Sequence, residues 1–131
     1  MIFVDSGAWF ALVAPSDPHH QRAVRWFEGN REPLLTTDYI VDETLTLFRA
    51  RREPVRALKI GADFFEGELA NIHYTKIDEI RDAWNVFRRF TDKAWSFTDC
   101  VSYVVMQKLG IVTACSFDEH FRQFGTVAVV P

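Results

Sequence analysis

Four acidic residues spread along the chain have the types and settings to do chemistry together: Asp5, Glu43, Asp99 and Asp118. Asp5 closes the apolar run MIFVD, Asp99 sits in SFTDC, and Asp118 follows TACSF. Glu43 lies within TTDYIVDETLTLF, one or two turns into a helix. Carboxylate oxygens are hard ligands that suit Mg²⁺ or Mn²⁺, ions that keep bound waters and bridge phosphates. Two carboxylates about 4 Å apart repel by about 4 kcal/mol at an effective dielectric of about 20. Four converging acids therefore need protons or a cation, and no Lys or Arg lies within three residues of Asp5, Glu43 or Asp99. Zinc asks for His or Cys at ligand spacing, which is absent. His19 and His20 are adjacent and diverge on a helix, while His73 and His120 stand alone. All four histidines read as structural or surface residues.

Each Asp has a blander explanation. An acid in the first turn of a helix is favoured by about 0.3–1 kcal/mol without any function, and Ser116-Phe117-Asp118-Glu119 fits a capping box. Glu43 resists that explanation. At about 100° per residue, Ile40, Val41, Thr44, Leu47 and Phe48 form the inner face of its helix, with Asp42, Thr46 and Arg49 opposite. Glu43 falls between the two faces, in line with Ile40 and Leu47.

The elements that must position these acids alternate between short strands and helices. Strands are expected at residues 2–4, 33–37, 70–75, 111–115 and 126–130. Helices are expected at 9–14, from Asp17-Pro18 to Gly29-Asn30, from a cap at Thr37 or Asp38 to about Arg52, and from Pro54 to Gly67. Three more follow at 77–90, 98–109 and 118–124. Ala23, Val24, Trp26 and Phe27 form the inner stripe of the second helix. Leu58, Ala62 and Phe65 mark the inner stripe of the fourth, and Ile80, Trp84 and Phe87 that of the fifth. The helix at 98–109 is apolar almost all round and should be central. This order predicts an α/β fold, a parallel sheet of four or five strands sandwiched by helices in three layers. Ligands in such sheets bind beyond the carboxyl ends of the strands, where the acids fall.

The 131 residues suit a single domain, 1–131. Hydrophobic content of 48% and charged content of 25% are those of a soluble globular protein. A net charge of −3 excludes a uniformly basic nucleic-acid-binding coat but permits a local basic groove. Cys100 and Cys115 are too few for a disulfide framework and read as buried thiols. The first 21 residues lack Lys and Arg, and no apolar run approaches the ~20 residues that cross a bilayer. A cytoplasmic protein without membrane attachment is expected. Trp9, Trp26, Phe27, Trp84 and Trp95 exceed the evident needs of so small a core and suggest an interface.

In FVDSGAWFAL, TTDYIVDETLTLFR, SFTDCVSYVVMQKLG and TACSFDEHF, taken in order, the chain resembles the PIN-domain family, specifically the VapC-type toxins of type II toxin–antitoxin modules. The resemblance covers essentially the whole chain. It implies a PIN-like fold and a Mg²⁺-dependent endoribonuclease, Mn²⁺ being the alternative, that cuts RNA loops or single strands. It also implies that Asp5, Glu43, Asp99 and Asp118 form the catalytic metal cluster, with Asp5 and Asp99 as direct ligands. Ser6 and Thr98 match supporting hydroxyls that orient water. Ser116 stands where Thr is common. Further implications are a homodimer, a VapB-like antitoxin close to the acids, and a tRNA or rRNA substrate. Arg49, Arg51 and Arg52 are candidate phosphate contacts, with Arg88, Arg89 and Lys93 next. Two rivals stay open. One is a PIN-like domain that binds RNA or protein without cutting. The other is a haloacid-dehalogenase-type phosphotransferase, which needs a second acid where this chain has Gly7.

Overall fold

Strand β1 (Ile2–Val4) is short, β-branched and aromatic, and it is buried along its whole length because it lies mid-sheet with both faces covered. The computed structural model describes residues 1–131. After β1 come α1 (Ser6–Val13), α2 (His20–Gly29), β2 (Leu34–Thr37), α3 (Asp38–Ala50) and α4 (Pro54–Phe65). Then follow β3 (Asn71–His73), α5 (Ile77–Arg89), α6 (Phe97–Leu109), β4 (Thr113–Cys115), α7 (His120–Gln123) and β5 (Ala128–Val130). All strand pairs are parallel, in the order β3-β2-β1-β4-β5. The expected α/β architecture is the one observed, with five strands flanked by seven helices.

That strand order creates a functional position. The chain steps outward from β1 through β2 to β3, then crosses back by way of α5 and α6 to β4 on the other side of β1. The reversal opens a crevice between the carboxyl ends of β1 and β4, the usual ligand position in a parallel sheet. Asp5 and Ser116 directly follow those two strands.

Trp9 fixes the start of α1 against this edge. It has no exposed surface, stacks on Phe27 and meets Phe64 edge-on, both at 5.3 Å. Its indole N–H donates to Thr36 Oγ1 (3.3 Å), and that hydroxyl donates to the Val4 carbonyl (3.1 Å). Trp9 and Trp95 (8% exposed) are thus core residues rather than interface residues. Helix α6 is buried over most of its circumference, as expected, and ends at Gly110, whose φ of 67° supplies a left-handed cap. Burial pushes the Cys100 and Cys115 thiols up to about 11 and about 12, which keeps them protonated and inert.

Two helices face the core differently from the expectation. On α4 the buried residues are Ala57, Ile60 and Phe64, while Leu58 and Phe65 are exposed. Both stripes combine steps of three and four residues, as one face of a helix does, so periodicity alone did not choose between them. On α5 the inward positions are Glu79 and Ala83, and Trp84 and Phe87 are exposed. Glu79 tolerates burial because its carboxylate accepts from the Lys76 N–H (2.8 Å) and lies 2.9 Å from His73 Nε2, with Lys108 Nζ at 3.6 Å. Burial raises its pKa, but these donors and charges outweigh it and hold the carboxyl below its ordinary value. No helix is long and apolar enough to cross a membrane.

The orientation of α4 is testable by urea unfolding. Ile60→Ala is expected to cost about 2–5 kcal/mol, and Leu58→Ala to stay within about 0.5 kcal/mol of wild type. The reverse ranking would turn the helix over.

Candidate active site

Asp5 is both a helix cap and a site residue. Its backbone is extended, and its Oδ1 accepts the Ala8 N–H at 2.8 Å, closing the first turn of α1. Its Oδ2 accepts the Ser116 hydroxyl at 2.5 Å, across the crevice from the β4 side. The expected capping box at Ser116 does not form. Helix α7 begins later, behind Glu119, which makes no side-chain cap. The Ser116 hydroxyl instead serves the buried carboxylate and accepts the Asp118 N–H at 3.0 Å. The two bonds use opposite roles of one hydroxyl, and the box fails because the helix starts at His120, too far along for Ser116 to be its cap.

Asp99 lies in the first turn of α6 in a reciprocal box. Its Oδ2 accepts the Ser96 N–H (2.9 Å), and the Ser96 hydroxyl accepts the Asp99 N–H (3.0 Å). His120 adds a contact that the sequence did not disclose. Its Nδ1 lies 2.8 Å from the same Asp99 Oδ2 and 3.4 Å from Asp118 Oδ2. Both donors to Asp99 therefore fall on one oxygen, leaving Oδ1 without a protein donor. His120 is not the lone structural or surface residue expected. Its Asp99 partner is 21 residues away, and no local pattern in SFDEHF announces it.

Glu43 sits where the helix-face count placed it, half-buried, while Asp42 is exposed. Its Oε1 accepts a hydrogen bond from the Ser6 hydroxyl. Asp5, Glu43, Asp99 and Asp118 line one cavity of about 270 Å³, together with Ser6 and Gly7 and the apolar side chains of Ile40 and Leu47. Thr98 does not line it; its carbonyl accepts the Ser102 hydroxyl in α6. The three candidate arginines are also elsewhere. Arg49 borders a separate groove between α3 and α4, Arg51 lies over the Phe10 ring at 5.5 Å, and Arg52 occupies the turn after α3.

No Lys or Arg lines the cavity, and the electrostatics show the consequence. The Asp5 carboxyl is pushed up to about 7 from an ordinary value of 3.8. Burial is the main cause; the Ser116 and Ala8 bonds oppose it, and the charges of Asp118 and Asp99 add to it.

As the side chains stand, no three His, Cys, Asp or Glu groups are gathered tightly enough to hold a metal ion between them. The donor set still fits a hard, hydrated cation. Mg²⁺ is usually held through one or two carboxylates with several waters retained. A cavity of 270 Å³ has room for those waters, each taking about 30 Å³ in the liquid.

The Asp5 shift has a sign that can be checked. A carboxyl raised in the folded state binds a proton more tightly there than in the unfolded chain. Metal-free stability should therefore fall as pH rises from about 4 to about 7. In EDTA, Asp5→Asn is expected to melt higher than wild type at pH 8, and the gap should close toward pH 4. A variant less stable than wild type at pH 8 would contradict this account.

Comparison with known proteins places this geometry. The PIN domain family model matches residues 2–127. The chain is 33% identical over 131 residues to the 23S rRNA-specific endonuclease VapC20 of Mycobacterium tuberculosis, covering 100% of this chain and 99% of that protein. It is 35% identical over 123 residues to a VapC ribonuclease of Archaeoglobus fulgidus, covering 90% and 77% respectively. The crystal structure of M. tuberculosis VapC20, described as a sarcin–ricin-loop-cleaving toxin, superposes with a TM-score of 0.93 at 30% identity over 100% of both chains. The structure of FitAB bound to a DNA fragment superposes at 0.75 and 14% identity, covering 99% of this chain and 94% of that one, a likeness of fold alone. By a family match over nearly its whole length and a full-length relative one-third identical to it, this chain belongs to the PIN-domain family, among the VapC ribonucleases.

Proposed function

We propose that this chain is the toxin of a toxin–antitoxin pair, an endoribonuclease that hydrolyses a phosphodiester bond in an unpaired RNA loop. We take the sarcin–ricin loop of 23S rRNA as its substrate. The observation that carries the reading is the convergence of Asp5, Glu43, Asp99 and Asp118 on one cavity at the β1–β4 crevice. The substrate rests on one-third identity over full length to a protein named for that rRNA. PIN nucleases generally depend on a divalent metal, and we take the ion here as Mg²⁺, with Mn²⁺ as a substitute.

A divalent cation, when bound, would supply Lewis-acid stabilisation of the phosphate charge and a water of lowered pKa. The protein's own groups do the rest. Asp5 and Asp99 would hold the ion, each already fixed by hydrogen bonds on the protein side. His120 positions Asp99 and Asp118 as an outer-shell donor. Glu43, kept in place by Ser6, accepts the proton of the attacking water. Asp118, which lines the same cavity, would complete the acidic set around it. Thr98 keeps only an indirect supporting role at the start of α6.

Two exposed apolar faces support protein partners. One is the α3–α4 groove with Leu45, Leu58 and Phe65; the other is the outer side of α5 with Ile77, Trp84 and Phe87. We assign them to a VapB-like antitoxin and to a second copy of the chain, in a protein that works in the cytoplasm beside its RNA. The antitoxin brings basic groups to the acidic cavity.

Cleavage of a sarcin–ricin-loop hairpin in Mg²⁺ tests the reading. Asp5→Asn and Asp99→Asn are each expected to lose at least about 100-fold in rate, and His120→Ala about 10–100-fold. Mg²⁺ should raise the melting temperature of wild type at pH 8 and not that of Asp5→Asn. Full activity in the Asn variants would exclude metal-assisted hydrolysis at this cavity. Binding of the hairpin without cleavage by any sample would assign the non-cutting alternative.

A further inference from the structure

Phe117 lies between two residues of the site. Ser116 before it donates to Asp5, and Asp118 after it lines the cavity. The imidazole of His19 lies parallel to the Phe117 ring, with centroids 4.6 Å apart and planes within 6°. The guanidinium of Arg22 stands over the same ring, 5.7 Å from its centroid. Both groups are tethered. The main chain of His19 is held by its backbone N–H, which donates to Asp17 Oδ1 at 2.8 Å, and the Arg22 guanidinium by Nη2, which donates to the Pro131 carbonyl at 3.0 Å.

Core packing accounts for the inner side of Phe117, which rests on the hydrophobic cluster. It does not account for two planar groups, a part-exposed imidazole and an exposed guanidinium, gathered on that ring beside an acidic cavity. Arg51 over Phe10 differs, because Phe10 is itself a core residue only 5% exposed. Unpaired nucleobases stack on such planes, on aromatic rings and on Arg. The cavity offers RNA no Lys, Arg or aromatic ring, so a grip on the bases has to come from its surroundings.

We propose that His19, Phe117 and Arg22 form a nucleobase-stacking platform that receives an unpaired base next to the scissile phosphate. The inference rests on the nuclease reading above and adds where the substrate is held. Phe117 is joined in the chain to Ser116 and Asp118, whose side chains serve the cavity, so its Cα lies about 3.8 Å from that of Asp118, and the platform is assigned to a nucleotide near the cut. A paired base has no free face to offer, so the platform selects loops over duplex. The imidazole packs on the Phe117 ring and the guanidinium is bonded to the Pro131 carbonyl before RNA arrives, which reduces the ordering cost of binding.

The test uses the full chain and a fluorescent sarcin–ricin-loop hairpin. Binding is read in Ca²⁺ and cleavage in Mg²⁺, for wild type, His19→Ala, Arg22→Ala and Arg22→Lys. The double variant His19→Ala/Arg22→Ala is expected to raise KM and the hairpin Kd about tenfold, in the range measured for base–aromatic stacking. Its kcat should stay within about twofold and its melting temperature should not change. Arg22→Lys, which keeps the charge and loses the plane, should behave like Arg22→Ala. A hairpin made abasic at one loop position beside the cut should bind wild type about tenfold more weakly and show no further loss with the double variant. Unchanged KM and Kd in the double variant overturn the platform. So does full rescue by Arg22→Lys, or a loss that no abasic position erases, since either assigns the pair to the phosphate backbone. If wild type binds but never cuts, the nuclease reading fails, and the Kd comparison still decides the platform.

Discussion

The structure turns on one buried carboxylate, Asp5, held between two strands that are distant in sequence. Its oxygens are split between the Ala8 N–H of its own helix and the Ser116 hydroxyl following β4. That arrangement ties the first helix, the central strand and the far side of the crevice to a single group. Burial makes the group reluctant to ionise, and the neighbouring acids make it more so. An ion that neutralises the cavity removes both penalties together. Ionising Asp5 therefore carries a cost that a cation in the cavity would offset.

The rest of the molecule supports that point. Trp9, through Thr36 and the Val4 carbonyl, sets where α1 begins and so where Asp5 and Ser6 stand. Ser6 reaches Glu43, and His120 reaches Asp99 and Asp118. Every acid of the cavity is therefore oriented by a donor outside the acid set. Such orientation matters because carboxylates left free to rotate would separate under their mutual repulsion.

The surface divides by chemistry. The acids occupy the crevice, the planar His19–Phe117–Arg22 group adjoins it, and apolar faces on α4 and α5 lie outside it. The aromatic surplus is shared out accordingly. Trp9 and Trp95 fill the core, and Trp84 and Phe87 remain exposed. A net charge of −3 is compatible with RNA chemistry because the four site acids account formally for all of it, the rest of the chain having one more Lys and Arg than Asp and Glu, and a cation in the cavity would screen them.

Much was legible in the sequence, for reasons of local physics. Strand and helix order follows from apolar periodicity and from Pro and Gly breaks, and the parallel sheet follows from the alternation. Glu43 was separable from Asp42 because helix geometry fixes the angle between neighbours. The tertiary structure alone decided three things. Strand order put β1 beside β4 and so gave Ser116 to Asp5 rather than to its own helix. Packing chose between two stripes of helical spacing on α4 and placed Glu79 inward on α5, because its donors come from β3, the helix cap and α6. His120 reached Asp99 only because α7 folds back over the start of α6. Periodicity reports which residues share a face, but the partners that make a face or a charge tolerable come from elsewhere in the chain.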